Sequence, residues 1–114
     1  MANAFDGLIL VDKAPEATSF QVVKAIKKVY NTPKVGHTGT LDPIATGLLP
    51  MCVGRATKLA SIIMTYRKEY DVWARFGVAT DSYDRTGNIV EEKPWQHLTE
   101  DQVRQAMQAF STII

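Results

Sequence analysis

Between Ala17 and Lys68 the chain carries eight positive side chains, Lys24, Lys27, Lys28, Lys34, Arg55, Lys58, Arg67 and Lys68, and a single acid, Asp42. That acid lies in KVGHTGTLDPIATG, residues 34–47, crowded by Gly36, Gly39, Pro43 and Gly47. Two readings are open. Asp-Pro is a common turn opener, so Asp42 can serve the backbone alone. Alternatively, the glycines let backbone approach a large ligand and the proline restricts the residue before it to extended geometry, so the loop can present a carboxylate rigidly to a substrate. His37 is open in the same way, as a structural hydrogen bonder or as a working group. Cys52 sits in an apolar run and reads as core rather than nucleophile, since apolar surroundings disfavour the thiolate. Neither GxGxxG nor a glycine-lysine-serine/threonine ending is present, so both phosphate-loop chemistries are excluded. One cysteine with His37 and His97 is too few for a recognisable zinc site, and no metal is expected.

The elements around these residues follow from their patterns. Gly7 to Val11 is an apolar run expected to form a buried strand. Thr18 and Gln21 have capping-box spacing, and Val22, Val23, Ile26, Val29 and Tyr30 recur at helical intervals with Lys24, Lys27 and Lys28 on the other side. Asn31-Thr32-Pro33 stops that helix, and the glycines and prolines predict loop as far as Gly47. Leu48 to Val53 reads as a buried strand whose Pro50 implies an edge or a bulge, and Ala56 to Met64 as a short helix. Alternation from Tyr70 to Phe76 predicts a half-buried strand with Trp73 and Phe76 packed. A polar turn over residues 81–87 and a returning strand over residues 88–92 follow. Thr99, Gln102 and the stripe Val103, Ala106, Met107 and Phe110 specify the last helix, with Leu98 stapling to Val103. Ser111 to Ile114 looks like a strand just beginning, which implies a truncated chain.

Hydrophobic residues make up 46% of the chain and charged ones 22%, enough apolar content to build a core and too ordinary for disorder. The longest apolar-rich run, Ile44 to Gly54, falls short of the roughly 20 residues a membrane span needs. The N-terminus has no positive flank and holds Asp6 among its apolar residues, so it does not read as a secretory signal; the cytoplasm is the expected location. Residues 1–68 carry a net charge of +5 and residues 69–114 one of −4. A basic half suits a phosphate backbone, although charge blocks also serve simply as solvated faces.

GHTGTLDPIATGLLP followed by GRATKLA closely resembles the signature of the TruB-type tRNA pseudouridine synthases, which isomerise a uridine in the T loop of tRNA. GLILVDK, KKVYNTPKVGHTG and RKEYDVWARFGVATDSYDRTGNIVEE extend the resemblance over nearly the whole chain. It implies an α+β fold, the N-terminal part of a pseudouridine synthase domain with a mixed or antiparallel sheet flanked by helices. It also implies that residues 1–114 belong to that one catalytic domain, with the rest of its sheet and a C-terminal RNA-binding domain absent. By position, Asp42 becomes the catalytic aspartate of a cofactor-free reaction. His37 enters the T loop and helps displace the target nucleotide, and Tyr70 stacks on the uracil. Lys13 matches the lysine that closes the first strand. Asp84 matches an acid that pairs with an arginine near the aspartate. Lys27, Lys28, Lys34, Lys58, Arg67 and Lys68 are candidates for the RNA backbone. The implied partner is the T-arm stem-loop of tRNA, and the implied parent enzyme is monomeric.

One departure stands out. The family follows its first lysine with proline, any residue and glycine, whereas this chain reads Lys13-Ala14-Pro15-Glu16, a difference expected to touch no catalytic position. Two other functions fit the same residues. A fragment of this length could bind RNA without catalysis, and the guide-RNA-dependent dyskerin branch shares the aspartate motif. Ala45-Thr46-Gly47 after Ile44 looks more like the stand-alone bacterial type.

Overall fold

A computed structural model describes residues 5–111. The chain divides into two compact units, Met1–Glu69 and Tyr70–Ile114, each described here by itself. Helices and antiparallel strands make up both, as the α+β reading expects.

The first unit begins with β1 (Gly7–Lys13), followed by α1 (Ser19–Val29), β2 (Val35–His37) and β3 (Gly47–Val53). A 3₁₀ helix (Gly54–Leu59) and the single turn α2 (Ala60–Ile63) complete it. The strands form an antiparallel sheet in the order β1-β3-β2. Ile9 opposes Met51, Val11 opposes Leu49 and Val35 opposes Val53, so these side chains share one face. On that face Val23 packs with Leu49 and Met51, and Val22, Ile26 and Leu41 join the cluster. On the opposite face Leu8 and Leu10 are 49% and 68% exposed, although Cys52 there is buried. β1 is therefore buried on one face rather than on both.

Helix α1 starts where its sequence says it should. The Thr18 hydroxyl accepts from Gln21 N and the Gln21 side chain accepts from Thr18 N, at 3.0 and 2.9 Å, which closes the capping box. Asn31 ends the helix with φ +48°, a left-handed residue that asparagine tolerates. Val29 falls outside the core and is exposed. At the far end of the sheet, Gly54 takes φ +65° against Phe5 and Asp6, a conformation and a closeness that suit glycine. Asp6 accepts there from Arg55 N and Nε. Those bonds and the guanidinium hold the Asp6 carboxyl below its ordinary range.

Two expectations in this unit fail for related reasons. The loop to Gly47 contains the short strand β2, hidden because three residues give no periodicity to read. Pro50 lies neither on an edge nor at a bulge, because β3 is central and its register with β1 is unbroken. A strand residue's N and C=O point to the same side, and Pro50 O accepts from Thr38 N on the β2 side. The missing N–H faces Thr38, one residue past the end of β2 at His37, so that pair keeps one hydrogen bond in place of two and the β2 ladder stops short of the proline.

In the second unit, β4 (Val78–Thr80) and β5 (Ile89–Glu92) form a hairpin with a register shift at Ala79/Thr80, and α3 (Glu100–Ala109) follows. The capping box of Thr99 and Gln102 is made. Residues 70–76, expected to be a strand, have no regular structure, because no strand among the described residues pairs with them. Trp73 is 96% exposed and Phe76 about half exposed, so neither packs as expected. Met107 and Phe110 are likewise exposed. The strand expected from Ser111 onward lies, from Thr112, outside the described residues. No described helix is long and apolar enough to cross a membrane.

The departure after Lys13 has a structural cost. Glu16 stands where the resembled family has glycine, and it adopts φ +69°, the left-handed region that L side chains disfavour by about 1–2 kcal/mol. Glu16→Gly is expected to stabilise the chain by about 1 kcal/mol, the relief being partly offset by glycine's unfolded-state entropy. Urea unfolding checks this, and equal or lower stability would show that the conformation carries no strain.

Candidate active site

The loop from Thr38 to Thr46 is held from both sides. At its start, Thr38 is buried, and its N and Oγ1 both donate to Pro50 O, at 3.3 and 3.1 Å. His37, half-buried opposite Met51, accepts at Nδ1 from Gly39 N at 3.3 Å. A neutral imidazole bonded in this way carries its proton on Nε2 and so offers an N–H donor there. Gly39 has φ +152°, and a Cβ at this position would lie 3.8 Å from Lys68 Cε, which places Lys68 beside the loop. Lys68 Nζ also donates to Met64 O.

Around Asp42 three successive carbonyls are hydrogen-bonded. Leu41 O accepts from Ser19 Oγ at 3.4 Å, while Leu41 N donates to the same oxygen at 3.1 Å. Asp42 O accepts from Ala45 N at 2.9 Å, closing a turn with Pro43 at its second position. Pro43 O accepts from Glu16 N at 2.6 Å and from Lys13 Nζ at 3.0 Å. The turn-opening reading and the presented-carboxylate reading are thus compatible. The backbone carbonyl makes the turn, and the Asp42 side chain is exposed with no hydrogen bond or ion pair among the described residues.

Lys13 is 1% exposed and donates to Ala14 O, Ala17 O and Pro43 O at 3.0, 2.7 and 3.0 Å. An ammonium has three N–H donors, and here each has a carbonyl. The group is therefore spent on joining the end of β1, the start of α1 and the turn after Asp42. The Glu16 N–H also bonds Pro43 O, a main-chain bond that a glycine there would make equally, so the departure after Lys13 adjoins this loop through its backbone.

The other expected residues are dispersed. Lys28, Lys34, Lys58, Arg67 and Lys68 are exposed and Lys27 is half-buried. Lys34 lies close enough to Asp6 to lower the pKa of that acid, so its charge is partly countered. Cys52 is fully buried and burial pushes its thiol up, which supports core over nucleophile. No cluster of three or more metal-ligating side chains occurs among the described residues. Tyr70 and Asp84 belong to the second unit. Tyr70 is exposed on irregular backbone. Asp84 closes the hairpin turn by accepting from Thr86 N and Oγ1 and from Ser82 Oγ. Sequence reasoning singled out neither Ser19 nor Thr38. Both bond partners more than ten residues away, and nothing in the local pattern distinguishes them from solvent-facing hydroxyls.

The chain is similar to known proteins. The model of the TruB family pseudouridylate synthase (N terminal domain) matches residues 27–114. A tRNA pseudouridine synthase B of Clostridium tetani is 45% identical over 105 residues, which is 92% of this chain and 36% of the relative. Proteins of the same name from Tolumonas auensis and Caldanaerobacter subterraneus are 45% and 46% identical, covering 91% and 92% of this chain and 32% and 37% of theirs. The chain thus spans about a third of the length of these curated relatives. A solved structure of an H/ACA RNP bound to a substrate RNA containing 2'-deoxyuridine shares 46% identity over 49% of this chain and 18% of that one, with a TM-score of 0.48.

The Asp84 turn yields a pH prediction. Hydrogen bonds from Thr86, then Ser82, hold the carboxyl below its ordinary value. A lowered folded-state pKa means that the turn's contribution is fully present above the ordinary aspartate value and is lost as pH falls through the lowered one. Thr86→Ala is expected to raise the Asp84 titration midpoint, read by NMR, toward that of an ordinary aspartate. An unmoved midpoint would show that these bonds do not set it.

Proposed function

The chain belongs to the TruB family of pseudouridylate synthases, and we propose that it supplies the catalytic loop of an enzyme converting a T-loop uridine of tRNA to pseudouridine. In this reading both units belong to the N-terminal part of one catalytic domain of a stand-alone, monomeric, cytoplasmic enzyme. The observation that carries it is Asp42: an exposed carboxylate without a side-chain partner among the described residues, on a turn whose carbonyls are bonded at three consecutive residues.

The reaction exchanges an N-glycosidic link for a C-glycosidic one, so the base must be detached, turned and reattached without escaping. A fixed carboxylate suits this work because pre-set geometry lowers the barrier without reorganisation at the moment of reaction. Asp42 acts on the nucleoside, with no cofactor. Flipping the target nucleotide out of the folded loop costs a few kcal/mol, which insertion and stacking offset. His37 is suited to the insertion, with an N–H donor at Nε2, and Tyr70 to stacking on the uracil. Asp84 is assigned, by the family resemblance, to pairing with an arginine. Lys13 acts through the loop rather than on the substrate, since its three donors are used.

The decisive assay joins this chain to the remaining part of the Clostridium tetani relative and measures pseudouridine in an unmodified tRNA transcript without guide RNA. Turnover that Asp42→Asn abolishes is expected. A folded protein that binds the transcript yet leaves uridine unchanged would overturn the reading in favour of RNA binding alone.

The excess of positive charge in residues 1–68 supports a second expectation. Lys27, Lys28, Lys34, Lys58, Arg67 and Lys68 neutralise phosphates, a contribution that is independent of sequence and sensitive to salt. Alanine at Lys27, Lys28 and Lys34 together should weaken tRNA binding and reduce the slope of log K against log salt by up to about 0.9 per lost phosphate contact. An unchanged slope would remove these lysines from the interface.

A further inference from the structure

We propose that Ser19 is a positioning residue for Asp42, an inference that rests on the catalytic reading of that carboxylate. Ser19 is the first residue of α1 and is 4% exposed. A serine there would ordinarily serve the helix end, but Thr18 and Gln21 already make that cap. The Ser19 hydroxyl is spent elsewhere, on residue 41, accepting from Leu41 N at 3.1 Å and donating to Leu41 O at 3.4 Å. Leu41 O belongs to the peptide plane that joins Leu41 to Asp42. Ser19 therefore fixes the plane entering Asp42, the Ala45 N–H fixes the plane leaving it, and Lys13 with Glu16 fixes the carbonyl after that.

These hydrogen bonds differ in what they would let move. Losing those at Pro43 frees the far side of the turn while the proline ring still restrains φ. Losing Ser19 frees the near side, where Thr40 and Leu41 have no ring to hold them and Gly39 permits wide rotation. A carboxylate that must meet a nucleoside in one geometry is sensitive to such freedom, since a displacement of about 1 Å can cost about a hundredfold in rate. Ser19 touches neither base nor ribose in this account. Its effect reaches the reaction only through the orientation of Asp42.

The test has two parts and two variants, Ser19→Ala and Ser19→Cys, the second keeping the shape while offering only a weak donor and acceptor. In the 114-residue chain, amide hydrogen exchange at Leu41 should speed up about tenfold in both, as expected for one lost hydrogen bond. The Met51 amide in the sheet should keep its protection. In the protein completed with the Clostridium tetani remainder, kcat should fall about 10- to 100-fold while KM for tRNA stays put, with Asp42→Asn as the reference. If Asp42→Asn abolishes turnover but the Ser19 variants, with Leu41 released, keep full kcat, the inference is overturned and the role of Asp42 stands. Loosening of all amides together, or a rise in KM alone, would make Ser19 a packing residue only and would equally overturn it. Turnover that survives Asp42→Asn would defeat the catalytic reading and this inference with it.

Discussion

A buried ammonium has to be fully partnered, and most of the first unit can be understood from how Lys13 meets that demand. Removing an unpaired charge from water costs far more than any single contact returns. Lys13, at 1% exposure, is acceptable only because three carbonyls surround Nζ. Those carbonyls come from Ala14, Ala17 and Pro43, so one side chain forces the end of β1, the approach to α1 and the turn after Asp42 into a single cluster. The sheet places Lys13 opposite Gly47, where the loop rejoins β3. Both ends of the loop are thereby tied to the same strand pair.

The same constraint explains how an exposed side chain can be held on fixed backbone without contacts of its own. Asp42 makes no side-chain bond among the described residues, yet the chain on either side of it is bonded through its carbonyls. Rigidity is supplied by the backbone, and the carboxylate is left available. The strained Glu16 fits this arrangement, because its left-handed conformation aims the N–H at Pro43 O. Conformational cost at one turn contributes to order at the next.

What could be read from the sequence depended on whether the signal was local. Both capping boxes were legible because their partners are three residues apart, and both are made. The chemical singularity of Asp42, one acid among eight cations, was legible from composition alone. The family resemblance then supplied its role, which no spacing could have done. Pro50 misled because the rule that excludes proline from central strands assumes a ladder on both sides, and here β2 ends one residue early. Val29, placed on the apolar stripe by its spacing, lies outside the cluster of Val23, Leu49 and Met51 and is exposed. The Ser19–Leu41 pair was invisible, since 22 residues separate its members.

The failure at Tyr70 to Phe76 makes the same distinction most sharply. A helix satisfies its own backbone groups and needs only a cap to define its ends, so α3 forms although Met107 and Phe110 on its stripe are exposed. A strand has no such independence: alternation states which face is apolar, but every N–H and C=O must find another strand. Residues 70–76 carry a clear alternation and remain irregular because no described strand pairs with them. β4 and β5, with a weaker pattern, are regular because an eight-residue polar connection, residues 81–88, returns one to the other. Among the described residues, therefore, pairing rather than propensity decided where sheet appears, and Tyr70, expected from the resemblance to stack on the uracil, lies on backbone that no described ladder fixes.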